Sequence, residues 1–147
     1  MIYLQNVNVA IGTDGAASNN SLNMLEETRF AALLAKGCSG NSASVSVNEA
    51  IRMSTINGAR SLGFAHETGS LEVGKLADIT AIDLNVLQSK PLYSPTAQIL
   101  HTATRNQVTD VWIGGNRVLH SGVLTTIDSA ECMALAEKWQ SRVSNDN

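Results

Sequence analysis

The chain has 147 residues, 44% of them hydrophobic, which is enough for one core of ordinary domain size. Its net charge of −3 comes without a run of basic residues and argues against a nucleic-acid or anionic-membrane partner. No apolar stretch approaches the ~18 residues of a membrane span, no export signal opens the chain, and Cys38 and Cys132 match no zinc or redox spacing, so a cytoplasmic protein with free, structural thiols is expected.

Val7, Val9 and Ile11 alternate with smaller or polar residues in the two-residue period of a short strand. The strand opens into Gly12-Thr13-Asp14-Gly15-Ala16-Ala17-Ser18-Asn19-Asn20. A carboxylate at the carboxyl end of a buried strand, ahead of a helix, stands where many α/β enzymes place catalytic groups. Asp14 is therefore the first candidate residue. Asp-Gly is also an ordinary turn signal, and a simple turn is the plain alternative. A strand this close to the start of the chain lacks earlier partners in a compact α/β domain, which hints at truncation.

Asn19, Asn20 and Ser21 are each suitable N-caps, and Leu22, Leu25, Phe30, Leu33 and Leu34 follow at roughly helical spacing. With Gly37 as the stop, these predict a helix over Ser21 to Lys36, followed by a surface loop from Gly37 to Ser44. Ser18, Asn19 and Asn20 either cap this helix or orient Asp14 and border a substrate, with capping the better explanation. Gly12 and Gly15 read as backbone devices; no GxGxxG pattern or P-loop lysine makes them a phosphate cradle. Ser18 as a nucleophile lacks a histidine partner. Ser46-Val47-Asn48-Glu49 forms a capping box for a second helix that carries Val47, Ala50, Ile51, Ser54, Gly58 and Leu62 and stops at Gly63. A glycine within a helix costs about 1 kcal/mol against alanine, so Gly58 suggests a close packing contact.

Beyond Gly63 the spacing changes from helical to strand-like. Thr68 to Lys75 is turn-rich, Leu76 to Asp83 is a β-compatible run, and helix is unlikely between Pro91 and Pro95. Val108 to Ile113, a turn at Gly114-Gly115-Asn116, and Arg117 to His120 read as a hairpin, with Val123 to Ile127 as a further strand. Asp128-Ser129-Ala130-Glu131 caps a terminal helix containing Met133, Leu135, Ala136 and Trp139, and Ser144 to Asn147 should fray.

The Gly12–Asn20 run with its Leu-Asn-Met-Leu-Glu-Glu continuation resembles the last barrel strand of the amidohydrolase superfamily. More narrowly, it is similar to the branch containing 5-methylthioadenosine/S-adenosylhomocysteine deaminases and the chlorohydrolases of triazine degradation. Asn57-Gly58-Ala59-Arg60-Ser61-Leu62-Gly63 and Gly69-Ser70-Leu71-Glu72-Val73-Gly74-Lys75-Leu76-Ala77-Asp78-Ile79 match the segment where such enzymes leave the barrel for a small β-sandwich, and Gly115-Asn116-Arg117-Val118 fits a later sandwich strand.

The resemblance implies an α/β fold: residues 1–66 as the last strand and helices of a (β/α)₈ metal-dependent hydrolase barrel, 67–127 as part of a small composite β-sandwich, and 128–147 as a C-terminal helix and tail. It implies Asp14 as both metal ligand and catalytic proton acceptor, a divalent metal (zinc first, iron or nickel as alternatives), and hydrolysis of C–N bonds in adenosine-like or other N-heterocyclic small molecules. The family's His-x-His pair, later histidines and glutamate have no counterpart here. His66, His101 and His120 form no such pair, and structural or surface roles are expected of them. The isolated chain is thus expected to be inactive, to bind no metal by itself, and to self-associate or require the missing N-terminal barrel portion. A noncatalytic scaffold or assembly module derived from the same family is the alternative.

Overall fold

In the computed structural model, which describes residues 7–145, helices surround a small centre and lead into a four-stranded antiparallel sheet. The first helix, α1 (Met24–Ser39), begins later than its apolar spacing suggests. Its N-cap is Asn23, whose Oδ1 accepts from the Leu25 N–H at 3.2 Å and whose carbonyl accepts from the Glu27 N–H at 3.1 Å. Leu22, at φ 46°, sits in the left-handed region and keeps the upstream residues off the helical path. At the other end α1 runs through Gly37 and stops at Gly40, where φ is 62°. The expected loop is shortened accordingly, and Lys36 closes it by donating to the Ser44 and Val45 carbonyls.

Ser46 and Glu49 form the expected capping box at the start of α2 (Val47–Met53). That helix then breaks. The Ser54 and Thr55 hydroxyls both return to the Ile51 carbonyl, at 3.0 and 2.7 Å, and α3 (Ile56–Ser61) restarts beyond them. The single long helix expected here is two short ones. Gly63, at φ 83°, provides the expected stop. Gly58 has nothing within 4 Å of where a Cβ would stand, so the close contact expected of it is absent among the described residues. It occurs at Gly69, where a Cβ would lie 2.8 Å from the Ala59 Cβ and 2.9 Å from the Ile56 Cα.

The stretch between Pro91 and Pro95 is irregular, but Pro95 opens a helix the sequence reading lacks. In α4 (Pro95–His101) proline takes the first position, where its missing N–H is harmless, and Ser94 Oγ accepts from the Ala97 N–H at 3.3 Å. Strand β1 (Ile79–Ile82) occupies only the end of its apolar run. It pairs with β2 (Val108–Ile113), which pairs with β3 (Asn116–His120), and β4 (Val123–Leu124) closes the order β1-β2-β3-β4 without reaching Ile127. Gly114 and Gly115, at φ 55° and 80°, make the tight hairpin turn. Asp128 Oδ1 caps α5 (Ser129–Asn145) through the Ala130 and Glu131 N–H groups at 2.8 and 3.2 Å. The helix persists where fraying was expected at Ser144, and Asp146 and Asn147 lie outside the described residues.

The chain buries little. Ala32 of α1, Ala50 of α2 and Leu100 of α4 form the centre, with Val45 and Val47 against them. Arg29 fastens α1 to the end of α4, donating from Nε to the Leu100 carbonyl at 2.9 Å and from its terminal nitrogen to the Ala103 carbonyl at 2.6 Å. The apolar stripe on α1 lies mostly outside this centre: Phe30 and Leu34 are 67% and 65% exposed. The accessible surface is 10340 Å², against roughly 7,200 Å² expected for a self-contained globular chain of 15.6 kDa. Among the described residues no helix is long and apolar enough to cross a membrane, and both cysteines are free and exposed.

Polar locks hold the sheet's turns. Asp78 accepts from the Gly114 N–H at 2.7 Å and the Thr68 hydroxyl at 2.9 Å, joining the turn before β1 to the hairpin. Asp110 accepts from the Ser121 N–H at 3.1 Å and from Arg117, whose guanidinium also stacks 5.1 Å above the Trp112 ring. The Ser121 N–H, then Arg117 and His120, hold the Asp110 carboxyl well below the usual carboxylate range.

Two measurements test this description. Gly69→Ala should destabilise the chain by about 2–4 kcal/mol in denaturant melts, because clash adds to left-handed strain, whereas Gly74→Ala meets no neighbour and should cost about 1–2 kcal/mol; equal losses would contradict the contact. A carboxyl depressed on folding contributes stability that is complete above its unfolded pKa, 3.8 for Asp110, and is lost as pH falls toward the folded value. Asp110→Asn should therefore flatten the fall of Tm on acidification below about pH 4. An unaltered acid profile would count against the lock.

Candidate functional site

Asp14 is both a turn residue and a presented carboxylate. It occupies the left-handed region at φ 59°, which Asp tolerates better than most side chains. Its Oδ1 accepts from the Gly15 N–H at 2.7 Å and its Oδ2 from the Ser18 hydroxyl at 2.9 Å. The Ser18 and Asn19 N–H groups both reach the Gly15 carbonyl at 3.0 Å and close the turn. The Gly15 N–H first, and the Ser18 hydroxyl second, pull the Asp14 carboxyl below its ordinary pKa, so it is ionised at neutral pH. Each oxygen has accepted one hydrogen bond and keeps a further lone pair on an exposed side chain.

The neighbouring residues divide differently from the expectation. Ser18 orients Asp14. Asn19 donates from Nδ2 to Glu27 Oε1 at 2.6 Å and accepts from the Ser21 N–H and hydroxyl, while Asn20 is exposed. None of the three caps α1, because Leu22 separates them from the helical path and Asn23 takes the cap. Gly12 and Gly15 lie outside the left-handed region with nothing near a Cβ position, so the expected backbone-device role falls to Asp14 itself.

Val7 to Ile11 is not a strand of any sheet among the described residues. The two-residue period survives only from Asn8 onward: Val9 and Ile11 are half-buried and Asn8 and Ala10 exposed, while Val7 is exposed too. What replaces a neighbouring strand is the α2–α3 corner: the Ile11 N–H donates to the Met53 carbonyl at 3.0 Å, and Asn57 Nδ2 to the Val9 carbonyl at 3.0 Å. Nothing in the sequence pointed to these partners beyond an asparagine inside the run that reads as one helix.

The histidines remain apart from Asp14. His66 sits 3.0 Å from Glu67 on the surface, His101 is exposed at the end of α4, and His120 Nδ1 lies 3.3 Å from Asp110. Among the described residues no group of three His, Cys, Asp or Glu side chains is placed to hold a metal. Asp14 suits the part of one metal donor, being ionised and exposed with unused lone pairs. A zinc site takes three or four protein ligands, so the described residues do not complete one. A cavity of about 480 Å³ lies between the start of α1, α2, α4 and the sheet, with Leu25, Ile51, Ile82 and Val108 in its wall. Asp14 is not part of that wall.

The sequence model of the amidohydrolase family matches residues 2–118. A 5-methylthioadenosine/S-adenosylhomocysteine deaminase of Teredinibacter turnerae is 45% identical over 139 residues, covering 95% of this chain and 31% of its own length. One from Moorella thermoacetica is 43% identical, with 90% and 31% covered. In structure, the chain is similar to a zinc-bound adenosine deaminase from Xanthomonas campestris, with a TM-score of 0.94 and 42% identity, covering 98% of this chain and 33% of that one. It is also similar to a zinc complex of an atrazine chlorohydrolase from Arthrobacter aurescens, with a TM-score of 0.84 and 27% identity, covering 92% and 30%. The chain thus spans about a third of the length of the curated relatives it matches.

The reassigned cap is directly testable. Asn23→Ala should cost about 1 kcal/mol of stability by urea denaturation, while Asn20→Ala stays within about 0.5 kcal/mol of the parent; the reverse order would restore the upstream cap.

Proposed function

This chain belongs to the amidohydrolase family, and we propose on that footing that it is the C-terminal part of a metal-dependent hydrolase acting on C–N bonds other than peptide bonds. Residues 1–66 are read as the end of a (β/α)₈ barrel, 67–127 as part of a composite β-sandwich and 128–147 as a C-terminal helix and tail. The single observation that carries the functional reading is Asp14: a carboxylate fixed by Gly15 and Ser18, ionised, and presented outward from a segment moored to α2 and α3.

The substrate class is an adenosine-like or related N-heterocycle, and in the reaction water's oxygen bonds the ring carbon, the C–N bond to the amino group breaks, and the nitrogen leaves as ammonia with a proton from that water. A divalent metal, zinc first, would supply the polarisation that makes water nucleophilic near neutral pH. Asp14 would contribute one coordinating oxygen and an acceptor for a proton from the attacking water, and the Ser18 hydroxyl and Gly15 N–H keep its two oxygens in fixed directions. The remaining donors and most of the substrate pocket belong to the part of the fold outside this chain. The same part, or failing it a second copy, covers the exposed apolar side of α1.

Ammonia release from 5′-methylthioadenosine, S-adenosylhomocysteine and adenosine tests the proposal. The full-length protein should hydrolyse at least one of the three, and Asp14→Ala should lower kcat/KM by about 10²–10⁴-fold with the fold intact. The 147-residue chain alone should show no turnover. Full activity in Asp14→Ala, or turnover by the isolated chain, would overturn it, and absence of zinc and activity from the full-length protein would favour a noncatalytic module.

A further inference from the structure

The segment that delivers Asp14 is moored largely by one corner of the helical half. A continuous helix would offer the Met53 carbonyl to the N–H four residues on. The Ser54–Thr55 break releases it, and the Ile11 N–H takes it at 3.0 Å. Two residues earlier in the segment, the Val9 carbonyl accepts from Asn57 Nδ2 at 3.0 Å. Asn8 Nδ2 completes the clasp, donating to the Asn57 main-chain carbonyl at 2.9 Å and to Ser61 Oγ at 2.8 Å. These bonds fall at residues 8, 9 and 11, with only Gly12 and Thr13 between them and Asp14.

On the reading that Asp14 supplies a carboxylate to a metal, we propose that Asn57 is the positioning residue for Asp14. Its side-chain amide takes the place of a neighbouring strand's N–H and sets the depth and direction in which the segment ends. Asparagine suits the task because its NH₂ donates while its own main chain accepts from Asn8, so one residue holds the segment at two points. It is 9% exposed, so its amide has little competition from water. Aspartate has the same shape but would set an anionic oxygen against the Val9 carbonyl, and serine is too short to reach it. Either change removes the bond that holds the Val9 carbonyl and so loosens the run that carries the Asp14 turn, without altering any residue of that turn.

The experiment compares Asn57→Asp and Asn57→Ser with Asp78→Ala, a lock remote from the segment, in the full-length protein. Amide hydrogen exchange at Ile11 and Gly15 in the metal-free protein is read beside Tm and the rate at which bound zinc is lost to a chelator. Exchange at both amides should rise at least tenfold in the Asn57 variants, with zinc lost at least tenfold faster. Asp78→Ala, at a similar fall in Tm, should leave both rates within twofold. Unchanged exchange at Gly15 in both Asn57 variants, or equal acceleration in Asp78→Ala, overturns the assignment. If the parent protein takes up no zinc, the metal reading of Asp14 fails by itself, and the exchange rates still decide whether Asn57 fixes the segment.

Discussion

Two hydroxyls, those of Ser54 and Thr55, share the Ile51 carbonyl and end α2 where apolar spacing would have carried it on. The turn they make leaves the Met53 carbonyl open to Ile11 and sets the Asn57 amide against Val9. From this corner the rest follows in two directions. Backwards along α2, Ala50 meets Ala32 and Leu100 in the small core, and Arg29 ties α1 to the same α4 that supplies Leu100. Forwards along the moored segment lies Asp14. A pair of short polar side chains thereby couples the packing of three helices to the placement of one carboxylate.

What was legible in the sequence was local. The Ser46–Glu49 box, the glycine hairpin and the Asp128 cap each need residues within four positions of one another, and each forms as read. The errors came where a residue's effect depends on its neighbours in space. Pro95 reads as a breaker yet starts α4, because proline disrupts a helix interior and suits its first turn. Val7 to Ile11 has a strand's period, but the described residues hold no ladder partner for it, and what it meets among them is a helix corner. Asp14 was visible through its motif. Its support was not, since Asn57 lies 48 positions from the Val9 carbonyl it holds.

The apolar patterning tells the same story at larger scale. Leu22, Phe30, Leu33 and Leu34 have the spacing of a core-facing stripe, and the structure leaves all four at least half exposed. Periodicity reports that a face is apolar, not which chain segment covers it. The accessible surface, well above that of a self-contained chain of this mass, agrees with a match to about a third of the relatives' length. An ionised carboxylate held by its own turn, with apolar helix faces left exposed among the described residues, is what the proposed contribution to a larger site rests on.

On the proposed function, Asp14 is one donor to a metal whose other ligands lie outside this chain. Anomalous diffraction at the zinc absorption edge, on crystals of the full-length protein, tests it most directly. A zinc peak is expected about 2.0–2.2 Å from an Asp14 carboxylate oxygen, with the remaining donors contributed by residues beyond these 147. A zinc site fully ligated without Asp14, its carboxylate still turned to Gly15 and Ser18 alone, would contradict it.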